Sequence, residues 1–199
     1  MRTHALLPAL LLLAAPACIF SANATDEDLP GHSSSTHASA GRDASAHAHP
    51  HATGATAEAV LEARSDAQLT GSATFTEVEG GVLVEIAVHH APPGWHAAHV
   101  HDKGDCSAPD ASSAGGHFNP ATKNHGSPHA PEHHAGDLGN LWVDEHGEGR
   151  HVILMPELTV ADGDHSVRGR AVIVHAGVDD LVTQPTGNAG GRIGCGVIR

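Results

Sequence analysis

The chain has 199 residues, which is enough for one domain of ordinary size with a short appendage. Its formal net charge of −13 argues against nucleic acid as a partner, since phosphate backbones bind basic surfaces. Because the chain contains 20 histidines, a pair of nearby histidines does not by itself identify a metal site.

The N-terminal segment has the features of an export signal. Residues 1–17 contain one arginine, a leucine-rich apolar run and small residues at the end, and the run is short for a bilayer span. Two cleavage sites fit, one directly before Cys18 and one after Ala24. We predict a signal peptide over residues 1–24 and export to the periplasm or cell envelope. The earlier cleavage would leave a lipid-modified Cys18 as a membrane anchor, whereas the later one would discard this cysteine.

Residues 25–56 are dominated by Ser, Ala, Gly, Thr and His, with almost no large apolar side chain. Such a segment cannot bury enough surface to offset the entropy of ordering, so we predict a disordered tether. Its histidines, among them His47, His49 and His51, could gather copper or zinc loosely. A polar spacer that contains histidine explains the composition equally well, and the sequence leaves both interpretations open.

Residues 57–199 are predicted to form an all-β domain. Segments 57–63, 69–78 and 81–90 alternate apolar and polar residues, and Gly80 and Gly81 mark a tight turn between the last two. Further strands are predicted within 94–102, 137–154, 168–177 and 192–198, with a turn near Gly147. Residues 103–136 are rich in Gly, Pro, Ser, Asn and His and predict a long loop. About eight short strands with long loops indicate a sandwich or barrel.

The fourth strand and the long loop contain residues suited to metal binding. His99 and His101 are two positions apart, so a strand directs both imidazoles to one face. A pair of surface histidines is the alternative. The loop contains several more histidines and ends at Asp137, and three histidines with one aspartate would fill the tetrahedral shell of a structural zinc ion.

Five motifs relate the chain to a known family. HVHDKGDC, GGHFNP, HAGDLGN, GRAVIVHAG and GNAGGRIGCGVI occur in this order over roughly residues 57–199. With them the chain resembles the copper/zinc superoxide dismutases, and the cysteine directly after Gly104 and Asp105 resembles the bacterial secreted branch. The resemblance implies an eight-stranded antiparallel Greek-key β-barrel or sandwich with two long active-site loops.

The resemblance also implies roles for individual residues. The copper ligands would be His99, His101, His117 and His175, and the zinc ligands His117, His125, His134 and Asp137. His117 would bridge the two metals and take part in proton transfer, Asp179 would link His99 to His125, and Arg192 would lie beside copper. Cys106 and Cys195 would form a disulfide. His96 resembles a histidine of the family that hydrogen-bonds to backbone and is no ligand.

The implied activity is dismutation of superoxide, a small anionic substrate, to oxygen and hydrogen peroxide by copper cycling between Cu(II) and Cu(I). An exported copper- and zinc-binding protein that buffers metals without turnover is the alternative. The resemblance leaves open whether the chain is a monomer or a homodimer. We expect the histidines without a family role to be solvated: His89, His90, His129, His133, His146, His151 and His165.

Overall fold

The structure is a computed structural model that describes residues 52–199. The predicted signal peptide, Cys18 and most of the predicted tether lie outside the described residues. Within them the chain forms eight strands and one short 3₁₀ helix, Ser112–Ala114. The strands are β1 Ala52–Ala63, β2 Thr70–Val78, β3 Gly81–His89, β4 Gly94–His101, β5 Asp137–Val143, β6 Gly149–Met155, β7 Ala171–His175 and β8 Arg192–Val197. No helix in this part of the chain is long and apolar enough to cross a membrane.

The strands close into an antiparallel barrel in the order β1-β2-β3-β6-β5-β4-β7-β8. Tight turns join β2 to β3 and β5 to β6, whereas β3 to β4 and β6 to β7 are crossovers, as in a Greek key. The β2–β3 turn lies at Glu79 and Gly80, and Gly81 begins β3; the two glycines have φ angles of 93° and 141°, which glycine adopts without strain. The predicted all-β barrel is confirmed.

Strand β1 begins at Ala52, earlier than the start near Ala57 that the sequence indicates. Its first residues continue the ladder with β2, where Ala52 is opposite Val78, and the register shifts before Thr56. Gly54 lies in this irregular stretch with a φ of 120°. The pairing partner therefore extends the strand through a segment whose own composition does not predict one.

Aliphatic side chains fill the barrel. In β3, alternate residues point inward, and Val82, Val84 and Ile86 are completely buried. Strand β7 is buried on both faces: Val172 and Val174 belong to the barrel core, whereas Ile173 packs outside the barrel in a small cluster with Ala111, Ala114, Ala171 and Cys195. The long loop between β4 and β5 therefore covers the outer face of these strands with its own apolar contacts.

Candidate metal centre

A group of four buried histidines lies on the outer face of β4 and β7. His99 and His101 are adjacent outward positions of β4, while Val100 between them belongs to the barrel core. His175 ends β7, the strand that pairs with this part of β4. The loop delivers His117 through a backbone bridge to His101. One ligand nitrogen of each of the four lies within 4.8 Å of the others.

Each of these imidazoles leaves one ring nitrogen without a hydrogen-bond partner, and in all four the other nitrogen is held by a neighbour, which for His117 Nδ1 is Asp137 Oδ1 at 2.9 Å. His99 Nε2 contacts Asp179 Oδ2 at 2.8 Å, and His101 Nδ1 contacts the Gly115 carbonyl at 2.9 Å. His175 Nδ1 lies 3.3 Å from the Gly190 carbonyl. The buried nitrogens without a partner are His99 Nδ1, His101 Nε2, His117 Nε2 and His175 Nε2. These nitrogens are free to bind a metal ion.

The environment keeps three of these imidazoles, those of His101, His117 and His175, neutral in the metal-free protein. Burial lowers the pKa of His101 to about 2, and charge repulsion from His117 adds to the shift. Burial also lowers the pKa of His175 to about 3 and that of His117 to about 4. A neutral imidazole has the lone pair that a metal needs, so these three side chains are ready to bind a metal ion at neutral pH.

A second group adjoins the first around the carboxylate of Asp137, the first residue of β5. Asp137 Oδ1 lies 2.9 Å from His117 Nδ1, 3.0 Å from His125 Nδ1 and 3.4 Å from His134 Nδ1. The Nδ1 atoms of His134 and His117 are 3.3 Å apart. Around a tetrahedral zinc ion with ligand bonds of about 2.0–2.1 Å, ligand atoms are roughly 3.3 Å apart, so these four side chains fit zinc.

Judged by distances alone, a different set of four side chains could also hold a metal ion. Ligand atoms of His99, His117, His125 and Asp137 lie within 4.8 Å of one another, a group that omits His134. His99 enters this group because its ring stacks on that of His117, with centroids 3.9 Å apart. Because the free Nδ1 of His99 also belongs to the four-histidine group, we assign His99 there and His134 to the group around Asp137.

In the group around Asp137, the carboxylate and a neighbouring histidine favour their charged forms. Burial disfavours the ionised form of Asp137, but its contacts with His117, His125 and His134 outweigh it and hold its pKa well below the usual range. Burial likewise opposes protonation of His125, but its contacts with Asp137 and Asp179 raise its pKa to about 9. The Nδ1 of His125 lies close to Asp137 without the alignment of a hydrogen bond. Zinc binding there would displace a proton from His125.

Asp179 joins the two groups from behind. Its Oδ2 accepts a hydrogen bond from His99 Nε2 at 2.8 Å, and its Oδ1 accepts one from His125 Nε2 at 2.9 Å. Burial works against ionisation, but these hydrogen bonds keep the pKa of Asp179 below its usual range. The side chain of Asn140 pairs with both the backbone N–H and the carbonyl of Asp179, at 2.8 and 2.9 Å. Asp179 therefore contacts both His99 and His125, and Asn140 fixes it there.

Arg192 lies at the rim of the four-histidine group, opposite His175 in the β7–β8 ladder. Its guanidinium donates to the carbonyls of Ala111 and Gly115 at 2.6 and 2.7 Å. The Gly115 carbonyl also receives His101 Nδ1. The loop therefore holds a half-buried positive charge next to the histidines, where it can attract an anion.

The predicted disulfide between Cys106 and Cys195 is present, with Cα atoms 5.9 Å apart and a sequence separation of 89. It joins the start of the long loop to β8. The Cys106 carbonyl also accepts a hydrogen bond from Arg64 Nε at 3.1 Å. The loop segment that carries Gly115 is therefore tied to the strand that carries Arg192.

The other histidines are distinct from both groups. His96 is buried and both its nitrogens contact backbone carbonyls, those of His175 at 2.8 Å and Pro92 at 2.7 Å. The expectation of a solvated His133 is wrong, because it is only 5% exposed and contacts the His134 carbonyl at 2.7 Å. His151 and His165 are half-buried and contact the carbonyls of Leu138 and Glu157.

Sequence reasoning missed two side chains that hold the site. Asn140 falls inside the motif HAGDLGN, so its position was visible although its contact with Asp179 was not. Gln184 contacts the backbone of His125 and lies in a loop where no motif draws attention to it. Fold and ligand groups together define a β-barrel protein suited to binding metal ions side by side.

Comparisons with known proteins agree with this class. The family described as copper/zinc superoxide dismutase (SODC) matches residues 69–198. Superoxide dismutase [Cu-Zn] 2 of Aquifex aeolicus (strain VF5) is 39% identical over 142 residues, covering 68% of this chain and 82% of that protein. Superoxide dismutase [Cu-Zn] of Caulobacter vibrioides (strain ATCC 19089 / CIP 103742 / CB 15) is 40% identical over 149 residues, covering 72% and 85%. A crystal structure of the clock protein EA4 superposes with a TM-score of 0.66 at 40% identity, covering 76% of this chain and 98% of that one.

The chain belongs to the copper/zinc superoxide dismutase family. It is an oxidoreductase that dismutates superoxide to oxygen and hydrogen peroxide, with copper and zinc as cofactors. Dismutation, and not metal buffering without turnover, is therefore its function.

Proposed function

We propose that His99, His101, His117 and His175 hold the catalytic copper, and that His117, His125, His134 and Asp137 hold zinc. The observation that carries this assignment is the set of five buried ring nitrogens without a partner. A buried polar atom that lacks a partner costs free energy, and a bound metal would satisfy each of these. Four nitrogens suit the tetragonal preference of Cu(II), whereas three nitrogens and one carboxylate suit zinc.

In this assignment His117 is shared. Its Nδ1 faces Asp137 at 2.9 Å, and its Nε2 is the unpaired atom that faces the other three histidines of the copper group. One imidazole would therefore offer a nitrogen to each metal. The contact of His117 with Asp137 holds the loop in place, and zinc, which has no redox chemistry, would supply structural support there.

Copper, when bound, supplies the one-electron chemistry in which one superoxide is oxidised to oxygen and a second is reduced to hydrogen peroxide. Arg192 draws the superoxide anion toward the site and orients it, because its guanidinium is fixed by two carbonyls. Nε2 of His117 would hold one of the two protons that hydrogen peroxide takes up and deliver it to the reduced product, and water would supply the other. Asp179 keeps the rings of His99 and His125 oriented throughout.

The test of the assignment is a His117→Ala variant, with His129→Ala as the matched control because His129 is an exposed histidine of the same loop. Superoxide consumption and the copper and zinc content are measured on the same samples. We expect His117→Ala to lose activity together with zinc and to alter the copper spectrum, and His129→Ala to behave as the wild type. Full metal content and activity in His117→Ala would refute the shared-ligand assignment.

We further propose that the protein is exported and anchored to a membrane through a lipid on Cys18. The apolar leader supports export, and the disulfide between Cys106 and Cys195 supports an oxidising compartment. Mass spectrometry of the mature protein tests this: an N-terminal lipid-modified Cys18 is expected, and an unmodified chain that begins after Ala24 would contradict the anchor. Light scattering of the same preparation distinguishes a monomer from a homodimer.

A further inference from the structure

Gln184 makes a reciprocal contact with the backbone of His125. Its Oε1 accepts a hydrogen bond from the His125 N–H at 2.8 Å, and its Nε2 donates to the His125 carbonyl at 2.8 Å. Nε2 also lies 3.3 Å from the Val182 carbonyl. A side-chain amide presents an N–H donor and a C=O acceptor side by side, so it can pair with both backbone groups of one residue. Gln184 therefore supplies the two backbone hydrogen bonds that a neighbouring strand would supply to a residue in a sheet.

His125 needs such a partner because it lies outside every strand, on the long loop between β4 and β5, and is only 3% exposed. Buried backbone groups require hydrogen bonds, and no sheet ladder supplies them at this position. Both nitrogens of its ring are directed at carboxylates, Nδ1 toward Asp137 and Nε2 toward Asp179. The ring can meet both carboxylates only while the backbone of His125 is held in position, and Gln184 holds that backbone.

The turn that carries Gln184 also closes around the ring of His125. The Asp180 carboxylate accepts hydrogen bonds from the backbone of Val182 and Thr183, and the Gly187 N–H donates to the Thr183 carbonyl at 2.7 Å. A methyl group on Gly187 would lie 2.6 Å from His125 Nε2. The turn over residues 179–187 thus contacts His125 on both its backbone and its ring.

We propose that Gln184 is a positioning residue for the zinc site. Gln184 fixes His125 and thereby couples the loop between β7 and β8 to zinc binding. The inference rests on the assignment of His125 as a zinc ligand. Metal sites need their ligands held within about 0.5 Å of the binding geometry, and residues that support ligands from behind contribute to metal affinity. The function of Gln184 is carried out through His125, without contact to substrate or metal.

The experiment uses the full, copper- and zinc-loaded chain and measures the rate at which zinc passes to a colorimetric chelator. Gln184→Ala removes both hydrogen bonds, whereas Gln184→Glu keeps the acceptor for the His125 N–H and loses the donor to its carbonyl. Gln68→Ala is the matched control, since Gln68 is the other glutamine of the chain and is exposed. We expect Gln184→Ala to release zinc about 10- to 100-fold faster than the wild type, as is usual for loss of a ligand's support. Gln184→Glu should fall between them, and Gln68→Ala should match the wild type.

A second measurement separates this inference from the ligand assignment. Cobalt(II) in the zinc site of the wild type reports tetrahedral coordination by its visible absorption, and His125→Ala should change that spectrum. An unchanged cobalt spectrum in His125→Ala would overturn the ligand assignment and the inference with it. A changed spectrum there, with zinc release in Gln184→Ala within twofold of the wild type, would overturn the positioning role alone.

Discussion

The two nitrogens of a histidine ring act as a pair, and the partner of one decides what the other can do. His99 has its Nε2 against Asp179 and leaves Nδ1 free, whereas His101 has its Nδ1 against the Gly115 carbonyl and leaves Nε2 free. A carbonyl can only accept, so His101 carries its proton on Nδ1 and offers a lone pair at Nε2. The residues behind the ligands thus select the tautomer that binds metal.

Because Gly187 has no side chain, it leaves room for the hydrogen bond between Asp179 and His125. We expect Gly187→Ala to break it, because the new methyl group would lie 1.9 Å from Asp179 Oδ1. The positive φ of 66° adds a backbone cost of about 1–3 kcal/mol for a non-glycine residue. Metal content and thermal unfolding should both show the loss, with zinc bound less tightly than in the wild type.

Gly169→Ala isolates the backbone contribution to that result. Gly169 has a similar φ of 74°, but nothing lies within 4 Å of a methyl group added there. We expect this variant to lose some stability and keep its zinc affinity. Equal zinc loss in both variants would show that backbone strain, and not the collision with Asp179, weakens the site.

Among the elements, the long loop between β4 and β5 depends on contacts at both of its ends. Its first part is tied to β8 by the Cys106–Cys195 disulfide and packs Ala111 and Ala114 against Ile173. Its last part is held by the hydrogen bond from the Gly136 N–H to the Phe118 carbonyl at 2.9 Å. Strands supply a rigid frame, and the loop brings the remaining ligands to it.

Replacing both cysteines of the disulfide by serine tests the contribution of the first tie. In the chain-entropy account, a crosslink that closes a loop of this length contributes roughly 4–5 kcal/mol to the free energy of unfolding. We expect the unfolding midpoint in calorimetry to fall by roughly 10–20 °C, given the usual relation for a domain of this size. Adding a reductant should shift the wild type toward the variant and leave the variant unchanged. A midpoint equal to that of the oxidised wild type would contradict this contribution.

Much of the barrel was predictable, because strands such as β3 place apolar residues at strict alternate positions and Val84 and Ile86 are buried as that pattern requires. The start of β1 at Ala52 was not, since its pairing with β2 and not its own composition extends the strand. The alternation of residues within a strand and the turn residues beside it are local, so the sequence shows them. How far a strand extends also depends on the strand that it pairs with, as β2 does for β1.

In the metal centre, side chains of ligand type occur in recognisable motifs, and the structure brings the expected eight ligand positions of the two metals, with His117 counted in both, to one region. The supporting contacts escaped prediction. Gln184 reaches His125 across 59 positions, and a neutral amide that pairs with backbone follows no spacing rule. His133 also escaped, because burial under a folded loop cannot be recognised in a sequence with so many exposed histidines.

For the molecule as a whole, the proposed ligand assignment links metal binding to folding, since these side chains come from β4, β5, β7 and the loop between β4 and β5. Without metals, the titration of four of the buried histidines contributes to stability, because their pKa values differ from the value of about 6.5 in an unfolded chain. His101, His117 and His175 have pKa values lowered to about 2, 4 and 3, whereas that of His125 is raised to about 9.

The two kinds of shift act in opposite directions, and together they predict a stability maximum near pH 6.5 for the metal-free protein. A lowered pKa gives stability that is present above 6.5 and lost as the pH falls, because the unfolded chain then binds the proton that the folded one refuses. Each such histidine contributes a slope of up to about 1.4 kcal/mol per pH unit between pH 6.5 and 4. The raised pKa of His125 gives stability that is present below 6.5 and lost as the pH rises toward 9.

Urea unfolding of the metal-free chain between pH 4 and 9 measures this profile, and the copper- and zinc-loaded chain is the reference. In the proposed assignment, bound metals would occupy the ring nitrogens and keep protons away from them, so we expect the loaded protein to hold its stability on acidification until the metals dissociate. A metal-free protein whose stability stays level from pH 6.5 down to 4 would mean that its imidazoles take up protons while still folded. The group of four histidines would then be open to water without its metal, and the neutrality of these side chains would be a property that copper imposes and not one that the barrel and loop prepare.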